Sequence, residues 1–278
     1  MVRIITDSTC DLTNERREAL GVLCVPLMVH IGNTTYYDGV DLTNEEFYQR
    51  LREEQTFPTT AQPTPHTFTE VFEKCLQNKE EVVCILISSK MSGTVQSANI
   101  AKNTLESDDI YIVDSQTVCL SLGLLVEIAA KMAQDGKSAK EIYEAMETLK
   151  QKVRLCAAVE TLEYLKKGGR LSATAATIGT LLNVHPIIGI ADGLVTTLGK
   201  VRGKKKLYDT LKNMAVEDGI DDTYPILFGH AESKENYEKL YETCADLRAG
   251  KTVHYGEFGC VVGAHTGPGV VGLAYIKA

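Results

Sequence analysis

The sequence predicts a two-domain α/β protein. An N-terminal, largely parallel α/β/α sandwich is expected over residues 1–152 and a C-terminal α+β domain with a mixed or antiparallel sheet over residues 153–278. Three observations lead there. A length of 278 residues with 44% apolar content supplies core for two domains of ordinary size. Short apolar runs alternate with helical patterns as far as Lys150, which implies parallel strands covered on both faces. Beyond Gln151 the hairpin signal Ala191-Asp192-Gly193 joins two strand patterns and calls for antiparallel pairing.

The elements follow in order. Val2–Thr6 reads as a strand and Leu12–Leu20 as a polar helix that Gly21 ends. Val22–Ile31 reads as one buried strand, followed by an irregular or hairpin stretch over Thr34–Gly39. Capping boxes at Thr43-x-x-Glu46, Thr67-x-x-Glu70 and Ser138-x-x-Glu141 each open a helix. Val82–Ile87 and Ile110–Val113 are strands, with helices over Ser92–Leu105, Leu120–Ala133 and Ala139–Lys150. In the second half, strands are expected at Arg154–Val159, Ile187–Ala191, Leu194–Val201, Ile226–Gly229, Thr252–Phe258 and Val270–Ile276. Helices are expected at Leu162–Lys167, Ser172–Leu182, Lys204–Val216 and Glu235–Asp246.

Composition narrows the function. A net charge of −8 disfavours nucleic-acid binding and adhesion to anionic membranes, both of which need excess Lys and Arg. The start MVRIITDST is a strand pattern without an apolar signal region, and no run of 18 apolar residues occurs. A cytoplasmic protein with no membrane span is expected. The eight cysteines form no C-x-x-C pair and the six histidines no H-x-x-x-H, so reduced structural thiols and no metal site are expected.

Three polar, turn-forming segments border apolar runs: Thr59–Pro65 (TTAQPTP), Ser88–Thr94 (SSKMSGT) and Gly263–Gly269 (GAHTGPG). Loops on a rigid scaffold are where binding groups concentrate. If these converge, they offer hydroxyls, free N–H groups and an imidazole with no acid among them, which suits an anion. Ser92, Gly93 and Thr94 stand where a strand passes through a loop into a helix N-terminus, with unpaired N–H groups and the positive end of the helix dipole. A capping role for Ser92 competes with that reading. Pro58, Pro63 and Pro65 stiffen the loop holding Thr60 and Gln62, and His265 is the histidine flanked by a Gly-Pro turn. Ser92 lacks a G-x-S-x-G elbow and a Walker form, so no catalytic residue is assigned. Asp7 and Asp114, at strand ends before Ser, read as turn caps with metal–phosphate binding as the alternative.

The segments IITDSTCDL (Ile4–Leu12), TAQP (Thr60–Pro63), SSKMSGT (Ser88–Thr94), VDSQTV (Val113–Val118), KKGGRLS (Lys166–Ser172) and HTGPG (His265–Gly269) resemble, in this order, the DegV family of bacterial lipid-binding proteins. The resemblance implies a long-chain fatty acid such as palmitate between two α/β domains, no other cofactor, and a carboxylate held by Thr60, Ser92 and His265. It implies a lipid carrier in fatty acid metabolism, not an enzyme by itself, and, for some members, presentation of the carboxylate to a separate fatty acid kinase. The family's T-S-Q-P is T-A-Q-P here, so Ala61 removes one hydroxyl.

The apolar stretch Ile178–Ile190, with Ile178, Leu181, Leu182, Val184, Ile187 and Ile188, is the expected sleeve for the tail, although an ordinary core would use the same residues. Burying about fourteen methylenes at ~0.8 kcal/mol each gives roughly 11 kcal/mol gross, less several for association. The basic run Arg202-Gly203-Lys204-Lys205-Lys206 reads either as a solvated helix start or as a docking patch. From a different class, a serine esterase or acyltransferase using Ser92 is the alternative function.

Overall fold

The computed structural model describes residues 1–53, 57–172 and 183–278. In chain order they form β1 (Val2–Asp7), α1 (Asn14–Leu20), β2 (Leu23–Val25), β3 (Met28–Ile31), β4 (Thr34–Tyr37), α2 (Asn44–Glu53), β5 (Thr59–Ala61), α3 (Pro65–Gln77), β6 (Glu81–Leu86), α4 (Thr94–Leu105) and β7 (Ile110–Asp114). Next come α5 (Cys119–Gln134), α6 (Ala139–Leu149), β8 (Val153–Ala158), α7 (Glu163–Gly168), β9 (Val184–Ala191) and β10 (Leu194–Arg202). The chain closes with α8 (Lys204–Asp218), β11 (Ile226–His230), α9 (Lys234–Thr243), α10 (Ala245–Arg248), β12 (Val253–Glu257), α11 (Cys260–Thr266) and β13 (Val271–Ile276).

The predicted fold class is the observed one. Strands of the first half make a parallel sheet of order β2-β1-β6-β7. Strands of the second half make a mixed sheet of order β10-β9-β8-β13-β11-β12, antiparallel except at β11–β12. The β9–β10 hairpin turns at Asp192 and Gly193, both at positive φ, as the sequence signal requires. Helix α5 is mostly apolar, and every residue from Cys119 to Ala130 is buried, including Glu127, which pairs with Arg16. It packs against β1 and β6 on one side and β8, β11 and β13 on the other. One apolar core, running from Ile4 to Ile276, therefore spans both sheets. Smaller cores lie under α8 and α9, around Phe228 and Leu211, and under α3 and α4, around Phe68 and Phe72.

Three sequence expectations are corrected. Val22–Ile31 is not one strand: it breaks at Pro26, which has no N–H to donate, and its halves enter different sheets. β2 pairs with β1, whereas β3 joins β4 and β5 in a three-stranded antiparallel sheet. Helix α3 opens a turn before the Thr67 box, because Pro65 is preorganised for its first turn and the Thr64 hydroxyl accepts the Thr67 N–H. The Gly263–Gly269 segment is not all turn, since α11 runs through it to Thr266. The boxes at Thr43 and Ser138 form as expected. The helix expected over Ser172–Leu182 lies, apart from Ser172, outside the described residues.

Candidate functional site

In the parallel sheet the chain order reverses between β1 and β6. Loops leaving the carboxyl ends of strands diverge at such a point and open a crevice. A cavity of about 250 Å³ lies there, with Thr9 beyond β1 and Ile87, Met91, Ser92 and Gly93 beyond β6 on its wall. Thr60, Ala61 and Gln62 come from β5 and the turn after it, Val261, Val262, His265 and Thr266 from α11, and Leu165 and Arg170 from α7 and the turn after it. Leu27, Val118 and Val195 complete the wall, which carries no Asp or Glu among the described residues.

The polar residues gather at one side. Thr60 Oγ1 lies 2.9 Å from His265 Nε2, joining positions 205 residues apart. Ser92 Oγ is 2.8 Å from Thr94 Oγ1. Ser92 does not cap α4; Gly93 holds that position and no side chain caps the backbone there. The hydroxyl and the opening N–H groups of α4 thus face an anion-binding geometry. Thr94 is fully buried and is not part of the wall; it reaches the site through its bond to Ser92. The sequence reading sets His265 just before a turn, within a turn-forming segment. It sits instead in the last turn of α11, mostly buried.

Burial, aided by the Arg170 cation, pushes the His265 imidazole down to about 4, so at neutral pH it presents one N–H rather than a charge. Its Nδ1 is buried without a partner and rests on Gly168, where a Cβ would stand 2.2 Å away. Only glycine fits there. Arg170 ties the wall together by donating from Nε to Met91 O at 3.1 Å and from Nη1 to Gly168 O at 2.5 Å. Gln62 donates to Ser97 Oγ at 3.0 Å and packs on the Gly93 Cα, where a Cβ would lie 2.0 Å from its Oε1.

Sequence reasoning singled out neither Thr9 nor Arg170 for the site. Arg170 stands inside the KKGGRLS segment, and that was the signal available. Of the expected sleeve, Ile178, Leu181 and Leu182 lie outside the described residues. Val184, Ile187 and Ile188 do not line the cavity. Ile187 packs in the outer core beside Phe228 and Ile188 in the central core, because β9 belongs to a sheet covered on both faces. Asp7 and Asp114 act as turn caps: Asp7 accepts from the Thr9 N–H and hydroxyl and the Ile87 N–H, and Asp114 from Ser89 and Gln116. All eight cysteines are free thiols. Among the described residues no three metal-ligand side chains converge, and no helix is long and apolar enough to cross a membrane.

Residues 1–278 match the family model of uncharacterised proteins of the DegV family. The chain belongs to the DegV family. A DegV domain-containing protein of Clostridium acetobutylicum is 39% identical over 277 residues, covering 99% of this chain and 98% of that one. Among solved structures, a DegV family protein of Thermus thermophilus described by its fatty acid binding superposes with TM-score 0.90 at 33% identity, over 100% of this chain and 99% of that one. A stearic-acid-binding protein of Eubacterium ventriosum gives TM-score 0.89 at 30% identity, over 100% and 98%. The fold found here is therefore shared with those DegV structures.

Proposed function

We propose that this DegV protein is a carrier that binds a long-chain fatty acid such as palmitate between an N-terminal unit, residues 1–152, and a C-terminal unit, residues 153–278. Its carboxylate is held by the Thr60 and Ser92 hydroxyls, the His265 N–H and the N–H groups of Gly93 and Thr94. The observation that carries the reading is the polarity of the cavity: hydrogen-bond donors and a helix N-terminus gather at one side, and apolar side chains form most of the rest. The fatty-acid-binding relatives at 30% identity and above agree with it. Delipidated protein is expected to bind palmitate far more tightly than methyl palmitate, because the ester lacks the anion. Equal affinity for the two by calorimetry would reject the head-group assignment, and mass spectrometry of extracted ligand would identify the native acid.

Presentation of the carboxylate to a separate fatty acid kinase belongs to the same proposal. The exposed basic run Arg202–Lys206 is its docking surface, which a pull-down with the charge-reversed segment tests. A serine-hydrolase reading would need a base oriented by a carboxylate. Among the described residues His265 Nδ1 has no such partner and the wall has no acid, so nothing favours that reading. Labelling of Ser92 by a fluorophosphonate would reverse this judgement.

A further inference from the structure

The motif Ile4–Leu12 contributes Thr9 to the cavity, but its second aspartate, Asp11, faces elsewhere. Asp11 and Asp38 are 3% and 4% exposed, and neither lies on the cavity wall. Each gives one carboxylate oxygen to the start of α11. Asp11 Oδ1 accepts the Gly259 N–H at 3.0 Å, and Asp38 Oδ1 accepts the Cys260 N–H at 3.1 Å. The Asp11 carbonyl also accepts the Glu257 N–H at 3.0 Å, and the Tyr48 hydroxyl donates to the Phe258 carbonyl at 3.1 Å. Four consecutive residues, Glu257 to Cys260, are thus each bonded to the N-terminal half of the chain.

Asp11 holds a left-handed conformation, φ 53°, which is uncommon outside glycine and persists where surrounding bonds over-determine it. A seven-residue helix does not stabilise itself, so its placement is set by what holds its ends. Its first end is held by Asp11 and Asp38; Val261 and Val262 on its side line the cavity, and His265 lies in its last turn. The remaining oxygen of each aspartate, Oδ2, has no partner. An asparagine keeps an oxygen acceptor for the helix-start N–H at either position.

We infer that Asp11 and Asp38 are positioning residues: by accepting the Gly259 and Cys260 N–H groups they set the depth and direction of α11, and through it the place of His265 against the ligand carboxylate. This rests on the fatty-acid reading only for its consequence in affinity, since the placement of the imidazole is a property of the ligand-free chain.

The test uses the full chain and two measurements. In ligand-free protein the ring resonances of His265 are followed by NMR in Asp11→Ala, Asp38→Ala, Asp11→Asn and Asp38→Asn. The alanine variants are expected to shift the ring signals, and the asparagine variants to restore them. By calorimetry, the preference for palmitate over hexadecanol is expected to fall on the order of tenfold in the alanine variants and to stay near wild type in the asparagine variants. A merely structural role would weaken acid and alcohol alike. Should the alanine variants not fold, Tyr48→Phe removes one bond just before the same helix start at the loss of a single oxygen atom, and is expected to shift the same ring signals. Unmoved His265 resonances, or asparagine variants as damaging as alanine, would overturn the inference. If wild-type protein ignores palmitate while the ring shifts occur, the fatty-acid reading fails and the positioning role stands.

Discussion

At the polar side of the cavity, Thr60, Ser92, Gly93 and His265 arrive from three distant segments; a directed hydrogen bond joins Thr60 to His265, and another holds Ser92 to Thr94. Along the rest of the wall, Leu27, Ile87, Met91, Val118, Leu165, Val195, Val261 and Val262 present apolar side chains. The first region works by angle and distance, so moving one group alters what the others can do. The second works by area removed from water, which is non-directional and nearly additive. Affinity should therefore come mostly from the wall and selectivity from the polar side.

The largest effect expected is on the tail. Octanoate has about eight fewer methylenes than palmitate, and at ~0.8 kcal/mol each it should lose up to roughly 6 kcal/mol of gross burial. Calorimetry across a chain-length series checks this; a flat series would dissolve the contrast between the two regions.

Next comes acid sensitivity at the polar side. The buried His265 imidazole titrates near 4 in the fold against 6.5 in the unfolded chain. The unfolded state binds more protons between those values, so stability falls as pH drops from about 6.5 to about 4, by up to about 3 kcal/mol. Asp7 acts with opposite sign: burial lifts it to about 6, so its part of the stability grows as pH falls through that value. Denaturant titrations of wild type and His265→Gln isolate the imidazole, and wild type should lose stability relative to the variant over that window.

Ser92→Ala and His265→Ala should each weaken palmitate binding by about 1.5–3 kcal/mol, the worth of a hydrogen bond to a charged group. Because both grip one carboxylate, the double variant should depart from additivity. Additive losses would mean that the two groups do not share a ligand atom. The smallest effect belongs to the wall: Val262→Ala should cost about 1 kcal/mol toward palmitate and hexadecanol alike. A selective loss for the acid there would blur the division between the two regions.

What the chain's own sequence determined is local. Val and Ile runs followed by polar turns gave the strands and their carboxyl-end loops. Ser138 and Glu141 defined a helix start, Asp192-Gly193 a hairpin, and the strand-to-helix passage at Ser92-Gly93 a helix N-terminus without a side-chain cap. Each depends on backbone preferences that span a few residues. Tertiary structure decided the rest. Pro26 marks a break, but only sheet assembly sends β2 and β3 to different partners. CVVGAHT, with two β-branched valines and a glycine, has no strong helical preference. It becomes α11 because Asp11 and Asp38, 222 or more residues earlier in the chain, accept its first N–H groups. The same long-range packing buries His265, leaves it neutral and sets it beside Thr60. Hydrogen bonds and desolvation between segments so far apart leave no periodicity in the sequence, and so Thr60, Ser92, Gly93 and His265 could be nominated from the sequence, while Thr9, Arg170 and the geometry came only from the fold.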